Sequence, residues 1–274
     1  MSPRDKQLKE KPQSLFLGAA GFVVRIRLEP TENVVFRRRL IDSLEKVWGP
    51  GNFLTSPKRA DFEIDVRSGK GKMKILEKEN GLRQYYLMFQ KVDRKRVTTF
   101  YTVDIAALNI QLKDIFTFLV KGDGFIIHAS SGQDRRGFLN VFLAEPGGGK
   151  TTLVGLLSQV GFEPFSDDML IVRKVKGRWV YFSPPFVEKY FLPIKRKSEK
   201  AKFFFVKKGK KASLKKISNE EKILKKFLKQ VWLAKGGMDK TTLKNVISFV
   251  ADNQFYELES ILNAERMKRL LDEN

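Results

Sequence analysis

Hydrophobic and polar positions alternate, then cluster, in a way that divides the chain in two. The first 14 residues are polar and read as a disordered tail. Leu15 to Leu28 alternates as a strand, and Thr31 is placed to cap a helix reaching Trp48. Val35, Leu40, Ile41, Leu44 and Val47 would form its apolar face. Gly49 to Asn52 breaks that helix, and "DFEIDV" alternates again as a half-buried strand. "KMKIL" and "RQYYLMF" flank Asn80-Gly81, a dipeptide that suits the tight turn of a hairpin. "VTTFYTVDI" reads as a further strand, and Ala106 to Val120 as a helix. Residues 15–121 are thus expected to form an α+β module, and nothing in them looks catalytic.

From residue 122 the texture changes, and 122–274 are expected to form a second, α/β domain. "FIIHASS" and "FLNVFLA" are apolar strands joined by polar residues. A glycine-rich loop and a helix follow. "FEPFSDDMLIVRKVKGRWVYF" predicts two strands turning near Lys176-Gly177. The chain ends in a strand, "FYELE", and an amphipathic helix from Ile261 to Leu271. No internal repeat is present.

Composition narrows the chemistry. The 274 residues hold 53 basic and 31 acidic side chains, a formal charge of +22. Such a chain attracts acidic partners of any kind: nucleic acid, nucleotide, anionic membrane or acidic protein. Between Lys195 and Lys244 there are 18 basic and 4 acidic residues, so over half of the excess lies there. With no cysteine there is neither a disulfide nor a thiolate metal site, and with His128 the lone histidine a histidine cluster is excluded. No segment reaches the ~18 to 20 apolar residues that span a bilayer. The run Leu15 to Val24 follows a basic tail, as a leader would. Asp5, Glu10 and the alternation continuing through "RIRLEP" favour a first core strand instead, and a cytoplasmic protein is expected.

The candidate chemistry centres on "NVFLAEPGGGKTTLVGLL", Asn140 to Leu157. A phosphate-binding loop has the form G-x-x-x-x-G-K-[ST] between a strand and a helix. Gly149, Lys150 and Thr151 supply its second half, and Ala144 stands where the first glycine belongs. Gly147, Gly148 and Gly149 let backbone N–H groups converge on a phosphate, and the helix that follows directs its positive end there. Lys150 would reach the β- and γ-phosphates, and the Thr151 hydroxyl would bind Mg²⁺. Ala144, Glu145, Pro146 and Thr152 complete the candidate loop. An alanine at 144 would cost about 1 kcal/mol if that position required a left-handed backbone, and Pro146 is an alternative way to pre-set the turn.

Seventeen residues after Lys150 comes the pair Asp167-Asp168, just before an apolar strand. Two adjacent carboxylates there suit two tasks: one orients Mg²⁺, the other accepts a proton from an attacking hydroxyl. Adjacent aspartates also cap turns. His128 is either a satisfied strand residue or a hydrogen-bond partner that tunes a catalytic carboxylate.

The run "IIHASS…GFLNVFLAEPGGGKTTLVGLLSQVGFEPFSDDMLIV" resembles the catalytic domain of HPr kinase/phosphorylase and its relatives, which share a nucleotide-binding core with phosphoenolpyruvate carboxykinase. The similarity covers Phe125 to Tyr181: a histidine, a glycine loop with Lys-Thr, then Asp-Asp at short spacing. The "SPP" turn and "ADNQFYELE" also look like that group, which commonly carries an N-terminal α+β domain. The resemblance implies ATP bound at Lys150 and the loop backbone, with Mg²⁺ organised by Thr151 and Asp168. Asp167 would activate the acceptor hydroxyl with His128 nearby. It also implies assembly into an oligomer. The chain departs from the family at Ala144. It also departs at the family's Glu-Ile-Arg-Gly type motif, where "SPPFVEKYFLPIKRK" offers only Glu188. HPr as substrate and phosphorolysis are therefore not expected, and a carboxykinase is disfavoured because the chain is short and that enzyme's further metal and substrate motifs are not found in it.

Three readings follow. The first is a kinase that moves the γ-phosphoryl group of ATP to a hydroxyl, on a serine of an acidic or other protein or peptide, or on a small molecule. The second is a nucleotide-binding regulator without turnover. The third is a nucleic-acid-associated protein using the lysine-rich stretch. It is less favoured, because "KFFFV" interrupts that stretch as a core strand would and no nucleic-acid motif is recognisable.

Overall fold

The alternation of the first described residues folds back on itself. In the computed structural model, β1 (Gln13–Ala19) and β2 (Phe22–Leu28) are antiparallel partners, not one strand from Leu15 to Leu28. Ala20 and Gly21 turn the chain with φ of 51° and 83°, the left-handed pair that a two-residue hairpin needs. Alanine rarely adopts that conformation, which is why the turn is not evident in the pattern. The structure describes residues 12–30, 34–48, 53–54, 59–68, 73–77, 83–87, 90–93, 95–100, 105–185, 197–233 and 237–273. The greater part of the expected tail, Thr31, Gly49 to Asn52, Asn80-Gly81 and Glu188 lie outside these residues.

The chain divides into two units, Met1–Leu112 and Lys113–Asn274. In the first, α1 (Val34–Trp48) follows β2, and then come β3 (Phe62–Arg67), β4 (Met73–Glu77), β5 (Arg83–Leu87), β6 (Gln90–Asp93) and β7 (Arg96–Phe100). They form a sheet in the order β1-β2-β3-β7-β6 and a separate β4-β5 pair. The pair carries the antiparallel register expected of a hairpin. Leu17, Val24, Ile26, Ile64 and Val66 are buried, as are Leu40 and Leu44 of α1. Val35, expected on the same apolar face, is 60% exposed at the helix start. The alternate positions of β2, β3 and β7 carry a charge ladder: register sets Arg25 and Arg96 beside Glu63.

In the second unit, reached through α2 (Ile105–Val120), the expected strand "FIIHASS" divides. β8 (Gly124–His128) belongs to a four-stranded sheet, and β9 (Ser130–Gln133) to a six-stranded one. The segment after α3 (Lys150–Ser158) divides in the same way, into β11 (Glu163–Ser166) and β12 (Met169–Val175). β8 pairs with β12 and β9 with β11, so two neighbouring segments pass from one sheet to the other together. Asp167 and Asp168 therefore sit between two strands, not merely before one.

β12 turns through Lys176-Gly177 (φ 49° and 80°) into β13 (Arg178–Phe182), as expected. β14 (Lys197–Ser198) completes the four-stranded sheet. The six-stranded sheet runs β11-β9-β10-β15-β17-β16, with β10 (Leu139–Leu143), β15 (Ala201–Lys208), β16 (Ser213–Lys216) and β17 (Phe255–Ser260). β10, β15 and β17 are parallel neighbours. "KFFFV" is the core of β15, while Lys207, Lys208, Lys210, Lys211, Lys215 and Lys216 around it face solvent. Two helices escaped the sequence reading: α4 (Glu220–Leu228), capped by Asn219, and α5 (Lys240–Asp252), capped by Asp239. The last helix, α6 (Ala264–Asp272), starts three residues later than expected, behind Asn263.

Three layers result. α3 and α6 cover one face of the six-stranded sheet through Leu153, Val154, Leu157, Met267 and Leu271. Its other face packs on the four-stranded sheet and on α4 and α5. Phe249 of α5 is the hub there, with the rings of Phe125, Trp179, Phe203 and Phe227 all 5.1–5.3 Å away. No described helix is long and apolar enough to cross a membrane.

Candidate functional site

The glycine loop leaves the carboxyl end of β10, which lies between antiparallel β9 and parallel β15, and the carboxyl ends of strands are where open α/β sheets place their ligands. Leu143 and Ala144 are buried and anchor its start. Gly148 N–H donates to Glu145 O at 2.9 Å, closing a β-turn with Pro146 second and Gly147 third. Gly147 has φ 78°, which makes the turn type II, the type that wants Pro-Gly in those two places. Pro146 thus does pre-set the loop. Gly149 has φ 94° and caps α3, which begins at Lys150. Ala144 does not have a left-handed backbone; among described residues only Ala20 and Lys176 do so without being glycine. The expected strain at Ala144 is therefore absent.

Gly148 is required for another reason. A Cβ there would lie 2.6 Å from the Ala144 Cβ and 3.0 Å from Glu145 O. Alanine at 144 and glycine at 148 are thus a packed pair. Lys150 turns its ammonium back into the loop, donating to Ala144 O at 2.5 Å. Burial lowers its pKa, and the nearby charges of Asp168 and Asp167 oppose that shift. The structure so brings the loop lysine and both aspartates into one electrostatic neighbourhood. Thr151 is half-buried and Thr152 exposed in the first turn of α3, and Glu145 is exposed beside Lys229, 3.4 Å away.

The two aspartates differ. Asp167 is 3% exposed, and the Ser130 hydroxyl donates to its backbone oxygen and lies 3.3 Å from its carboxylate. Asp168 keeps a half-exposed carboxylate, with Lys113 Nζ 3.1 Å away and His128 Nδ1 3.6 Å away. The hydrogen bond from His128 is the largest cause holding the Asp168 carboxyl well below the usual carboxylate range; Lys113 adds to it, and burial works against it. His128 therefore neighbours Asp168, not Asp167 as expected. Trp232 packs its ring edge-on to His128, centroids 5.1 Å apart, and Lys113 Nζ lies 5.4 Å from the same ring. The Trp232 segment reaches this place by bonding to β8, with His128 N–H donating to Gln230 O and Trp232 N–H to Ile126 O.

Lys113, Ser130 and Trp232 went unnoticed in the sequence. Ser130 stood two residues past the histidine in "HASS", but Lys113 is 55 residues from its partner and carries no local signal.

Among described residues no three His, Asp or Glu side chains group to hold a metal. Magnesium is commonly held by one or two carboxylates together with substrate phosphates. The oxygen donors of Thr151 and Asp168, which both follow Lys150 in sequence, suit that hard cation in kind. Compared with known proteins, the chain matches no family model, and no curated protein matches it.

Proposed function

We propose that the chain is a phosphotransferase of the HPr kinase-like kind, moving the γ-phosphoryl group of ATP to a hydroxyl acceptor. The acceptor is a serine of a protein or peptide, or a small molecule. One observation carries the reading: a strand–glycine loop–helix whose lysine lies within the charge field of two aspartates from a neighbouring crossing. On this reading the glycine loop is a phosphate-binding loop, and incoming phosphate displaces Lys150 from Ala144 O.

Asp167, oriented by Ser130, accepts the proton of the attacking hydroxyl. That oxygen bonds to the γ-phosphorus as the bond to the bridging oxygen breaks and ADP leaves. Asp168, kept ionised by His128 and Lys113, serves the metal side with Thr151. Mg²⁺ bound there supplies charge neutralisation at the terminal phosphates. Phosphoryl transfer asks mostly for positioning and charge, which suits so small a set of residues.

A second reading, a nucleotide-binding regulator without turnover, draws on the same two side chains, since Lys113 and His128 already lie against the carboxylate meant for the metal. Calorimetry with ATP·Mg²⁺ and incubation of γ-labelled ATP with cell lysate separate them. Wild type should bind ATP and label an acceptor, and Lys150→Ala should weaken binding by roughly tenfold or more. Tight binding with neither transfer nor hydrolysis selects the regulator. Affinity unchanged in a folded Lys150→Ala variant removes both.

A further inference from the structure

A cavity of about 380 Å³ opens beside the glycine loop and is walled by the carboxyl ends of three adjacent parallel strands. From the loop after β10 come Gly149 and, on α3, Thr152 and Leu156. Lys208 and Gly209 come from the end of β15, and Ser260, Ile261 and Leu262 from the end of β17. Its size lies within the ~300–1,000 Å³ usual for small-ligand sites. The three walls are held together. Gly209 N–H donates to Ser260 O at 2.9 Å, and any side chain at 209 would run into Glu259. The lining is apolar on the side of Leu156, Ile261 and Leu262. Leu262 is 84% exposed, an uncovered leucine at the rim of a cavity. At the loop end the lining is polar. The stem of Lys208 passes so close to Gly149 that a Cβ there would be 3.6 Å from the Lys208 Cε, so β15 brings a second cation to the loop.

Neither Lys150 nor either aspartate lines this cavity. It is therefore not where an acceptor hydroxyl meets Asp167. It begins instead at Gly149 and Thr152, the loop glycine and first-turn threonine that flank the terminal-phosphate lysine. We infer that the cavity takes the nucleoside of the bound nucleotide, with the aromatic base against Leu156, Ile261 and Leu262. Lys208 and Thr152 then face the first phosphate and ribose. This inference rests on the phosphate-loop reading above and adds the part of the ligand that the loop itself does not recognise.

The test compares two ligands on the full chain by calorimetry at fixed Mg²⁺: ATP, and inorganic tripolyphosphate, which has the phosphates without the nucleoside. Wild type should bind ATP at least tenfold more tightly. Leu262→Ser, at an exposed position where folding is not at stake, should weaken ATP by about fivefold and leave tripolyphosphate unchanged, in line with the loss of one apolar contact. Leu156→Trp, which fills the cavity, should act in the same direction and more strongly. Equal affinity for the two ligands overturns the inference while leaving the phosphate loop standing. A preference for ATP that neither variant alters also overturns it, because the base then binds elsewhere. Failure of wild type to bind either ligand overturns the loop and the cavity together.

Discussion

Replacing Gly148 by alanine should damage the glycine loop, and replacing Ala144 by glycine in the same molecule should repair it. Gly148 has no left-handed backbone, so conformation alone permits alanine there. The obstacle is contact. A Cβ at 148 would stand 2.6 Å from the Ala144 Cβ, against about 3.5–4.0 Å for relaxed carbon pairs, and 3.0 Å from Glu145 O. Neither neighbour is a flexible side-chain end, so backbone must move, at a cost of about 1–3 kcal/mol.

Ala144→Gly alone removes one buried methyl, about 0.8 kcal/mol, and adds about 0.5–1 kcal/mol of chain entropy to the unfolded state. In the double variant the 2.6 Å contact no longer exists, and only the tight approach to Glu145 O is left. The two changes should then couple favourably by about 1–2 kcal/mol, well above the ~0.3–0.5 kcal/mol within which independent sites add. Urea unfolding of the four proteins measures this, and ATP titration should rank them in the same order, because the turn that moves is the one that presents the loop N–H groups. Additive effects would refute the packed-pair account of Ala144. They would return that residue to the status of a plain departure from the phosphate-loop pattern.

Two other outcomes follow from charge. Lys113→Met removes the ammonium 3.1 Å from Asp168 and should lower the Mg²⁺ concentration needed for ATP binding by roughly fivefold, whereas Asp168→Asn should raise it; identical Mg²⁺ titrations for both variants would take Asp168 off the metal. Glu257 of β17 accepts from Lys226 at 2.7 Å and lies 3.0 Å from Lys222, and these bonds, Lys226 first, bring its pKa from 4.5 down to about 2. A carboxyl depressed on folding stabilises above its unfolded pKa and loses that contribution as pH falls through the folded value. The stability gap between wild type and Glu257→Gln should therefore be full above about pH 5 and close toward pH 2, staying below about 1 kcal/mol for so exposed a pair. A gap independent of pH over that interval would refute the attribution.

The glycine loop is legible in the sequence because all it needs is local: an apolar strand, Pro-Gly for a type II turn, a left-handed glycine before the lysine, and a helix. The lysine-rich stretch is legible for a similar reason, since "KFFFV" is too apolar to be surface. What escapes notice is set by partners far away in the chain. The "FIIHASS" run carries no break signal, yet His128 ends one sheet and Ser130 begins another, because the segment paired with each half belongs to a different layer. The Ala20-Gly21 turn escapes because alanine is a poor left-handed residue held there by the pairing of β1 with β2. α4 and α5 carry ordinary caps at Asn219 and Asp239, but their lysines mask the apolar spacing of Ile223, Phe227, Val246 and Phe249.

That change of sheet also explains why the charged residues gather where they do. Inside a sheet every position is committed to a ladder and to one of two packed faces. Where two neighbouring segments leave one sheet for another, the ladder lapses, and its backbone groups must be satisfied across the gap. Ala129 N–H donates to Asp168 O at 3.2 Å, and the Ser130 hydroxyl to Asp167 O. Those bonds hold the crossing rigid without using the side chains of His128 and Asp168, which stay half-exposed among strands that are otherwise buried. Ser131 and Ser166, sharing a hydroxyl contact of 2.6 Å on the far side, fix the register of the pair. Because β9 lies directly beside β10, the crossing is carried to the end of the strand from which the glycine loop springs. Lysine and aspartates, 17 and 18 residues apart in sequence, are thus positioned by three adjacent strands and not by the loop between them. A scaffold of that kind would suit the proposed phosphoryl transfer, in which placement of charge counts most.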